Sequence, residues 1–295
     1  MGQQTMLAED TRLSYSSASL MRGCETRYYH YKVAKTKRDP DSPEDTDAFI
    51  IGKSFHHILE MSKHEKPEKI GHLLEECVKK FKLPEEDTGL VHAMVLKYLR
   101  LHKKTNLVAV ACEWEIKHPI VTGFIDVIFK EKDSDKWWIS DLKTSKTFYA
   151  TIVSRLPKDR QLNLYAAFYR EIAKDLGLNP DAFQGCRYRV TTKSEAKQKK
   201  LESYNDYVLR ITESNVKSYD VIVPIEKLSP KEVLKEHLRL HQVSMLMRTG
   251  DYVPTQNFGN CETYFKPCEY WSKCHGQCFS KLKEDLTVLI EGVEK

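Results

Sequence analysis

Residues 123–143 read GFIDVIFKEKDSDKWWISDLK, and the rest of the chain is best read outward from them. Phe124-Ile125-Asp126-Val127-Ile128-Phe129 is too apolar and β-branched for a surface loop. Trp137-Trp138-Ile139-Ser140-Asp141-Leu142-Lys143 reads the same way, and Lys130 to Lys136 between them is a polar hairpin connection. Pairing the two strands sets Asp126 and Asp141 near each other at a sheet end. The two-residue period puts Lys143 on the face of Asp141. Two carboxylates and a lysine on otherwise buried strands are costly unless a cation lies between the acids. Hard divalent ions such as Mg²⁺ take oxygen ligands, usually one or two carboxylates plus water and substrate phosphate. The stretch therefore predicts a metal cleft suited to phosphodiester hydrolysis.

Upstream, Leu107 to Ile116 (LVAVACEWEI) reads as a strand, so that 107–117, 121–130 and 136–143 form an antiparallel meander. Glu113 and Glu115 on the first strand could supply an extra carboxylate to such a cleft, but read first as strand-surface residues. Ala48 to Lys63 has helical periodicity after Gly52; His56 and Glu60 share a face at i, i+4 while His57 points elsewhere. Lys66 to Lys104 reads as two helices joined at Pro84 to Gly89, with a solvated Lys/Glu face. Leu13 to Lys32 is Ser-capped and helical, with Cys24 inside it as a small buried residue, and Arg38 to Asp47 is a Pro/Asp-rich loop. Downstream, Asp159 to Leu176 is a helix with Gln161 and Tyr165 one turn apart. Gly185 to Thr192, Tyr207 to Thr212 and Ser218 to Ile225 read as strands, and Glu232 to Arg248 as a helix. The basic run Lys193 to Lys200 reads as a solvated loop that would also suit a phosphate backbone.

Composition bounds these readings. A chain of 295 residues, 41% hydrophobic and 30% charged, is an ordinary globular composition with enough apolar residues for a sizeable core. No run of ~18 apolar residues marks a membrane span. Met1 to Asp10 lacks the layout of a signal peptide, which makes a cytosolic location the expectation. A net charge of +5 permits a polyanionic partner without demanding one. Of eight cysteines, Cys261, Cys268, Cys274 and Cys278 cluster near the C-terminus, which favours metal ligation over disulfides. Their gaps fit a zinc knot poorly, with His275 as a substitute ligand, and fit equally an iron–sulfur cluster whose fourth ligand comes from elsewhere.

Taken together, these residues resemble the RecB-like branch of the PD-(D/E)XK nuclease superfamily. The likeness is greatest to its iron–sulfur members: the AddB nuclease domain, CRISPR-associated RecB-like exonucleases, eukaryotic exonuclease V and related phage exonucleases. Gly52, His56 and Glu60 match that family's Gly-x-x-x-His helix and its following acid. Gly123 to Asp126 match its Gly-x-x-Asp strand, Asp141 to Thr144 its Asp-x-Lys-Thr, and Gln161 and Tyr165 its Gln-x-x-x-Tyr helix. Cys24, Cys261, Cys268 and Cys274 fit its layout of one cysteine before the core and three after. The first C-terminal gap of six residues departs from the shorter gap usual there, and Cys278 is a spare.

The resemblance implies an α/β fold: a restriction-endonuclease-like core with a mixed central sheet flanked by helices, plus an N-/C-terminal cysteine-ligated cluster region. It implies a single nuclease domain over 1–295. Within it, 13–45 would carry the first cluster ligand, 48–105 the His motif, 107–226 the catalytic core and 229–295 the C-terminal helix and cysteines. It further implies that Asp126, Asp141, the backbone carbonyl of Leu142 and His56 hold Mg²⁺ or Mn²⁺, with Lys143 orienting the attacking water. Gln161 and Tyr165 would position DNA, and Cys24, Cys261, Cys268 and Cys274 would hold a 4Fe–4S cluster. The implied activity is an exonuclease on single-stranded DNA ends in recombination, repair or phage DNA metabolism. An endonuclease or flap nuclease, or a non-catalytic DNA-binding recombination factor with the same fold, are the alternatives.

Overall fold

The two apolar runs at the centre of the sequence pair as a hairpin: Val127 lies opposite Ser140 and Lys130 opposite Trp137. The computed structural model describes residues 11–39, 47–64, 67–257, 259, 261–263 and 266–275. Cys278, residues 1–10 and most of the Pro/Asp-rich loop lie outside the described residues.

In chain order, β1 (Leu13–Ser14), α1 (Tyr15–Gly23), α2 (Glu25–Tyr28), α3 (Asp47–Met61), α4 (Ile70–Phe81) and α5 (Glu85–Lys103) come first. The meander follows as β2 (Leu107–Glu115), the two-residue β3 (Val121–Thr122), β4 (Phe124–Glu131) and β5 (Trp137–Ser145). Next are α6 (Ala150–Val153), α7 (Arg160–Ala166), α8 (Tyr169–Leu176), β6 (Phe183–Thr192), α9 (Tyr204–Ser214), β7 (Ser218–Pro224) and α10 (Pro230–Thr249). The tail contributes β8 (Glu262–Thr263), β9 (Lys266–Pro267) and α11 (Trp271–His275). No described helix is long and apolar enough to cross a membrane.

The principal sheet has the order β2-β4-β5-β6-β7, mixed because β5 and β6 run parallel while the other pairs are antiparallel. A parallel pair needs a crossover, and the helices between β5 and β6 provide it. The chain divides into two compact units. The larger, Asp45–Lys117 with Gly123–Leu234, holds this sheet. There Phe55, Ile58, Leu59, Met94, Val95 and Ile211 pack into one core with Leu142 of β5. Each such side chain contributes about 1.5–3 kcal/mol by burial. The smaller unit comprises Met1–Glu44, His118–Thr122 and Lys235–Lys295. Its core joins Leu13, Met21 and Tyr28 to Leu240 and Met247, and the Tyr28 hydroxyl meets Ser244 Oγ at 2.6 Å.

Several local expectations are corrected. Tyr207 to Thr212 is not a strand but lies within α9, where Tyr207, Val208, Ile211 and Thr212 are buried at helical spacing. Ser203 caps that helix by accepting from the Asp206 N–H at 3.1 Å. Pro84 to Gly89 is not a connection: α5 starts directly after Pro84, with Glu85, Glu86 and Asp87 in its first turn, where acids suit the helix dipole. The helix over 159–176 is two, α7 and α8, because Phe168 leaves helical geometry (φ −98°, ψ 12°) and buries its ring. Cys24 is neither helical nor buried; it sits in extended conformation at the break between α1 and α2, half exposed.

Candidate active site

Three acids stand side by side on three adjacent strands. The β2–β4 ladder pairs Cys112 with Val127 and Trp114 with Ile125, which sets Glu113 across from Asp126. The β4–β5 ladder begins at Val127 and Ser140, which sets Asp126 across from Asp141. Asp126 then takes up the backbone where the ladder opens: its Oδ2 accepts from the Leu142 N–H at 2.6 Å. Glu113 has a left-handed backbone (φ 48°), an uncommon state for a non-glycine residue. Glu113 was expected on the strand surface; the structure corrects this. Its carboxylate, the Asp126 carboxylate and the His56 imidazole each present a ligand atom, and these lie within 4.8 Å of one another.

Helix α3 delivers His56 because Gly52 allows a close approach. A Cβ at Gly52 would lie 3.0 Å from Thr144 Oγ1 on β5, the strand of Asp141 and Lys143. One turn later His56 Nδ1 is 3.7 Å from Asp126 Oδ1. His57 points away as expected, to Glu76 Oε1 at 3.0 Å. Glu60, on the His56 face, lies near enough to Glu113 to disfavour its ionisation.

The two-residue period of β5 holds for Lys143, whose ammonium donates to Asp141 Oδ1 at 2.8 Å and to Gln161 Oε1 at 3.0 Å. The other end of that amide, Nε2, donates to the Tyr165 hydroxyl at 2.8 Å. Helix α7 is fixed for this by Asp159, which accepts from the Leu162 N–H at 2.9 Å. Gln161 thus has both ends engaged within the protein, and Tyr165 is only 6% exposed. Asp141 is 1% exposed, and its second oxygen has no hydrogen-bond partner among the described residues.

The charges are unbalanced toward the negative. Burial pushes the Asp141 carboxyl up to about 7, with Asp126 adding repulsion and Lys143 opposing. Burial, then the charges of Asp126 and Glu60, push Glu113 up to about 7 as well. Burial works against the charge on Lys143, yet Asp141 and Asp126 outweigh it and hold the ammonium firmly protonated. Asp126 is likewise penalised by burial but held below the usual carboxylate range by His56, which it raises in turn. Surplus carboxylates that repel one another, an orphaned buried oxygen and an imidazole are the donor set a hard or borderline divalent cation relieves.

In the smaller unit, Cys24, Cys261, Cys268 and Cys274 are free and half exposed. Cys268 N–H donates to the Cys261 carbonyl at 2.7 Å. Burial and then the neighbouring thiols of Cys261 and Cys24 raise Cys274. Burial and then Cys24 raise Cys261. Burial first, with Glu269 and Cys261 contributing, pushes Cys268 up to about 11. The four therefore share one neighbourhood, and the Arg27 guanidinium lies beside Cys268 and Cys24. His275 stacks on Trp271 with ring centroids 3.9 Å apart.

A sequence model of the PD-(D/E)XK nuclease superfamily matches residues 12–275. Six solved chains also match. One of them, described as a putative exonuclease from Eubacterium rectale, is 11% identical with a TM-score of 0.43. That match covers 87% of this chain and 90% of the other. No curated protein matches.

Proposed function

Because the chain belongs to the PD-(D/E)XK nuclease superfamily, we propose that its larger unit is a metal-dependent deoxyribonuclease that degrades single-stranded DNA from an end. The observation that carries this reading is the convergence of Glu113, Asp126 and Asp141 from three adjacent strands, with His56 and Lys143 beside them. His56, Glu113, Asp126, Asp141 and the Leu142 carbonyl would hold one or two Mg²⁺ or Mn²⁺ ions. An ion held there would supply polarisation of a phosphate and a lower pKa for a bound water. Lys143 presents its ammonium to the charge that develops on the phosphate, a role that needs the side chain held still. Gln161 holds it still, gripping Lys143 on one side and Tyr165 on the other. In this reading Gln161 and Tyr165 act on DNA through the lysine, and the preference for single-stranded ends follows the resemblance alone.

We also assign a 4Fe–4S cluster to Cys24, Cys261, Cys268 and Cys274. Four free thiols gathered from both ends of one unit suit it. Blue-violet absorbance and bound iron in the anaerobically purified protein, both lost in Cys24→Ser, are expected; stoichiometric zinc without that absorbance would overturn the assignment.

Linear and circular single-stranded DNA separate the functional readings. With Mg²⁺ or Mn²⁺, linear strands should be degraded to small products and circles spared, and Asp141→Ala should lose the activity while keeping its fold. Cutting of the circle would make the protein an endonuclease. Failure of the wild type to cut either substrate with both metals would make it a binding factor.

A further inference from the structure

A cavity of about 490 Å³ in the larger unit is lined by none of the catalytic residues. It opens where the end of α5 meets the start of β2 and the turn after β4. Its cations are Arg100, Lys103 and Lys132, and no carboxylate among the described residues lines it. Acids and bases are nearly equal in number in this chain, 42 against 47, so a cavity walled by one sign is not the average surface. The Lys132 N–H donates to the Asn106 carbonyl at 3.0 Å, which fixes its turn at the rim. Arg100 is ion-paired with Glu213, leaving Lys103 and Lys132 as the exposed cations of the lining.

The floor is made of two imidazoles, His64 and His102, which are 1% and 6% exposed. Their hydrogens can be placed by following the bonds behind them. Arg189 only donates, and its Nη1 gives one hydrogen to the Tyr98 hydroxyl oxygen and one to His102 Nδ1, each at 3.1 Å. The Tyr98 hydrogen has one acceptor among the described residues, His64 Nδ1 at 2.9 Å. Both rings are therefore protonated on Nε2, and neither Nε2 has a hydrogen-bond acceptor among the described residues. Two N–H donors thus stand at a basic cavity with nothing to donate to.

The charge beneath them has the same sign. Arg189 and Arg187 share one carboxylate, Asp220, at 2.9 and 2.7 Å, which leaves a surplus positive charge under the rings. Burial and then neighbouring positive groups, Arg189 among them, hold His102 down at about 4 and His64 at about 3. A buried field of this kind reaches further than it would in water. The remaining wall is Leu96, Leu99, Leu107 and Thr105, whose hydroxyl donates to the His102 carbonyl at 2.6 Å. The volume lies within the ~300–1,000 Å³ range of small-ligand sites.

We propose that this cavity is a mononucleotide site, with the phosphate held by Lys103, Lys132 and the two imidazole N–H groups and the base against Leu96, Leu99 and Leu107. The inference stands on the cavity alone and does not need the nuclease reading. Calorimetric titration of the whole protein in EDTA, which keeps any metal-held phosphate out of the catalytic cleft, tests it with dAMP, inorganic phosphate and deoxyadenosine as probes. Saturable binding of one dAMP per chain, tighter than either fragment, is expected. The Lys103→Glu/Lys132→Glu variant changes two exposed side chains and should keep its circular dichroism while binding dAMP about tenfold more weakly or worse, a difference of ~1.4 kcal/mol per tenfold. Asp141→Asn should bind as the wild type does. No saturation at millimolar dAMP, phosphate binding as tight as dAMP, or unchanged binding in the double variant would each overturn the proposal.

Discussion

Lys143 is held at 2.8 Å by Asp141 and at 3.0 Å by Gln161, so its ammonium is aimed before any substrate arrives. Lys143→Met should lower kcat by about 10²–10³, the cost of removing one preorganised donor to developing charge, while Mn²⁺ still binds. Single-turnover cleavage and calorimetry read the two separately; parallel loss of metal binding would make the lysine structural. Glu113 carries a different signature. Its left-handed backbone costs roughly 1–2 kcal/mol in a residue with a Cβ, a strain tolerated at functional sites. Glu113→Gly should therefore melt no lower, and even slightly higher, than the wild type while its Mn²⁺ affinity falls about tenfold. A lower melting temperature with unchanged affinity would return Glu113 to the strand surface. Asp126, Asp141 and Lys143 were legible in the sequence because strand periodicity is local. Glu113 was visible too, as an alternative to a strand-surface residue, but the β2–β4 register that sets it across from Asp126 is a pairing that composition does not mark.

At the scale of elements, the site depends on how closely α3 approaches β5. Gly52 is the contact, with Thr144 Oγ1 at 3.0 Å from where a Cβ would be. Gly52→Val overpacks that contact at a cost of ~1–3 kcal/mol. It should shift His56 away from Asp126, so that activity drops far more than the small fall in melting temperature implies. Equal activity per folded molecule would show that the helix position does not matter. The sheet meander and α3 were legible because their patterns are long. The strand predicted over Tyr207 to Thr212 failed because a short stretch with four apolar residues fits a buried strand and a helix face equally well, and Ser203 decides it with a cap. The parallel pairing of β5 with β6 is a long-range choice with no local pattern.

At the scale of the whole molecule, the larger unit's stability is tied to buried titratable groups that pull in opposite directions. His102 is held at about 4 in the folded state and ionises near 6.5 when unfolded. Below pH ~6.5 the unfolded chain binds a proton that the native ring refuses, so this stabilisation is full above that pH and is lost as pH falls toward 4. Asp141, raised to about 7, works the other way, since the native state keeps a proton the unfolded chain has released. The comparison must therefore be with a variant: His102→Gln should lose its stability deficit relative to the wild type by about 1.4 kcal/mol per pH unit between pH 6.5 and 4. Urea denaturation at stepped pH reads it, and a constant difference would refute the buried neutral ring. The C-terminal cysteines stood out in the sequence by their clustering, whereas Cys24 read as a small buried residue and joined them only through the resemblance; among the described residues Cys24, Cys261, Cys268 and Cys274 lie in one unit.

The most direct test of the central reading is the anomalous-difference map of crystals soaked in Mn²⁺. A peak bounded by His56, Glu113, Asp126 and Asp141, abolished in crystals of the Asp126→Asn protein, is the predicted result. Mn²⁺ bound elsewhere, or no peak in a cleft whose four side chains are in place, would contradict it.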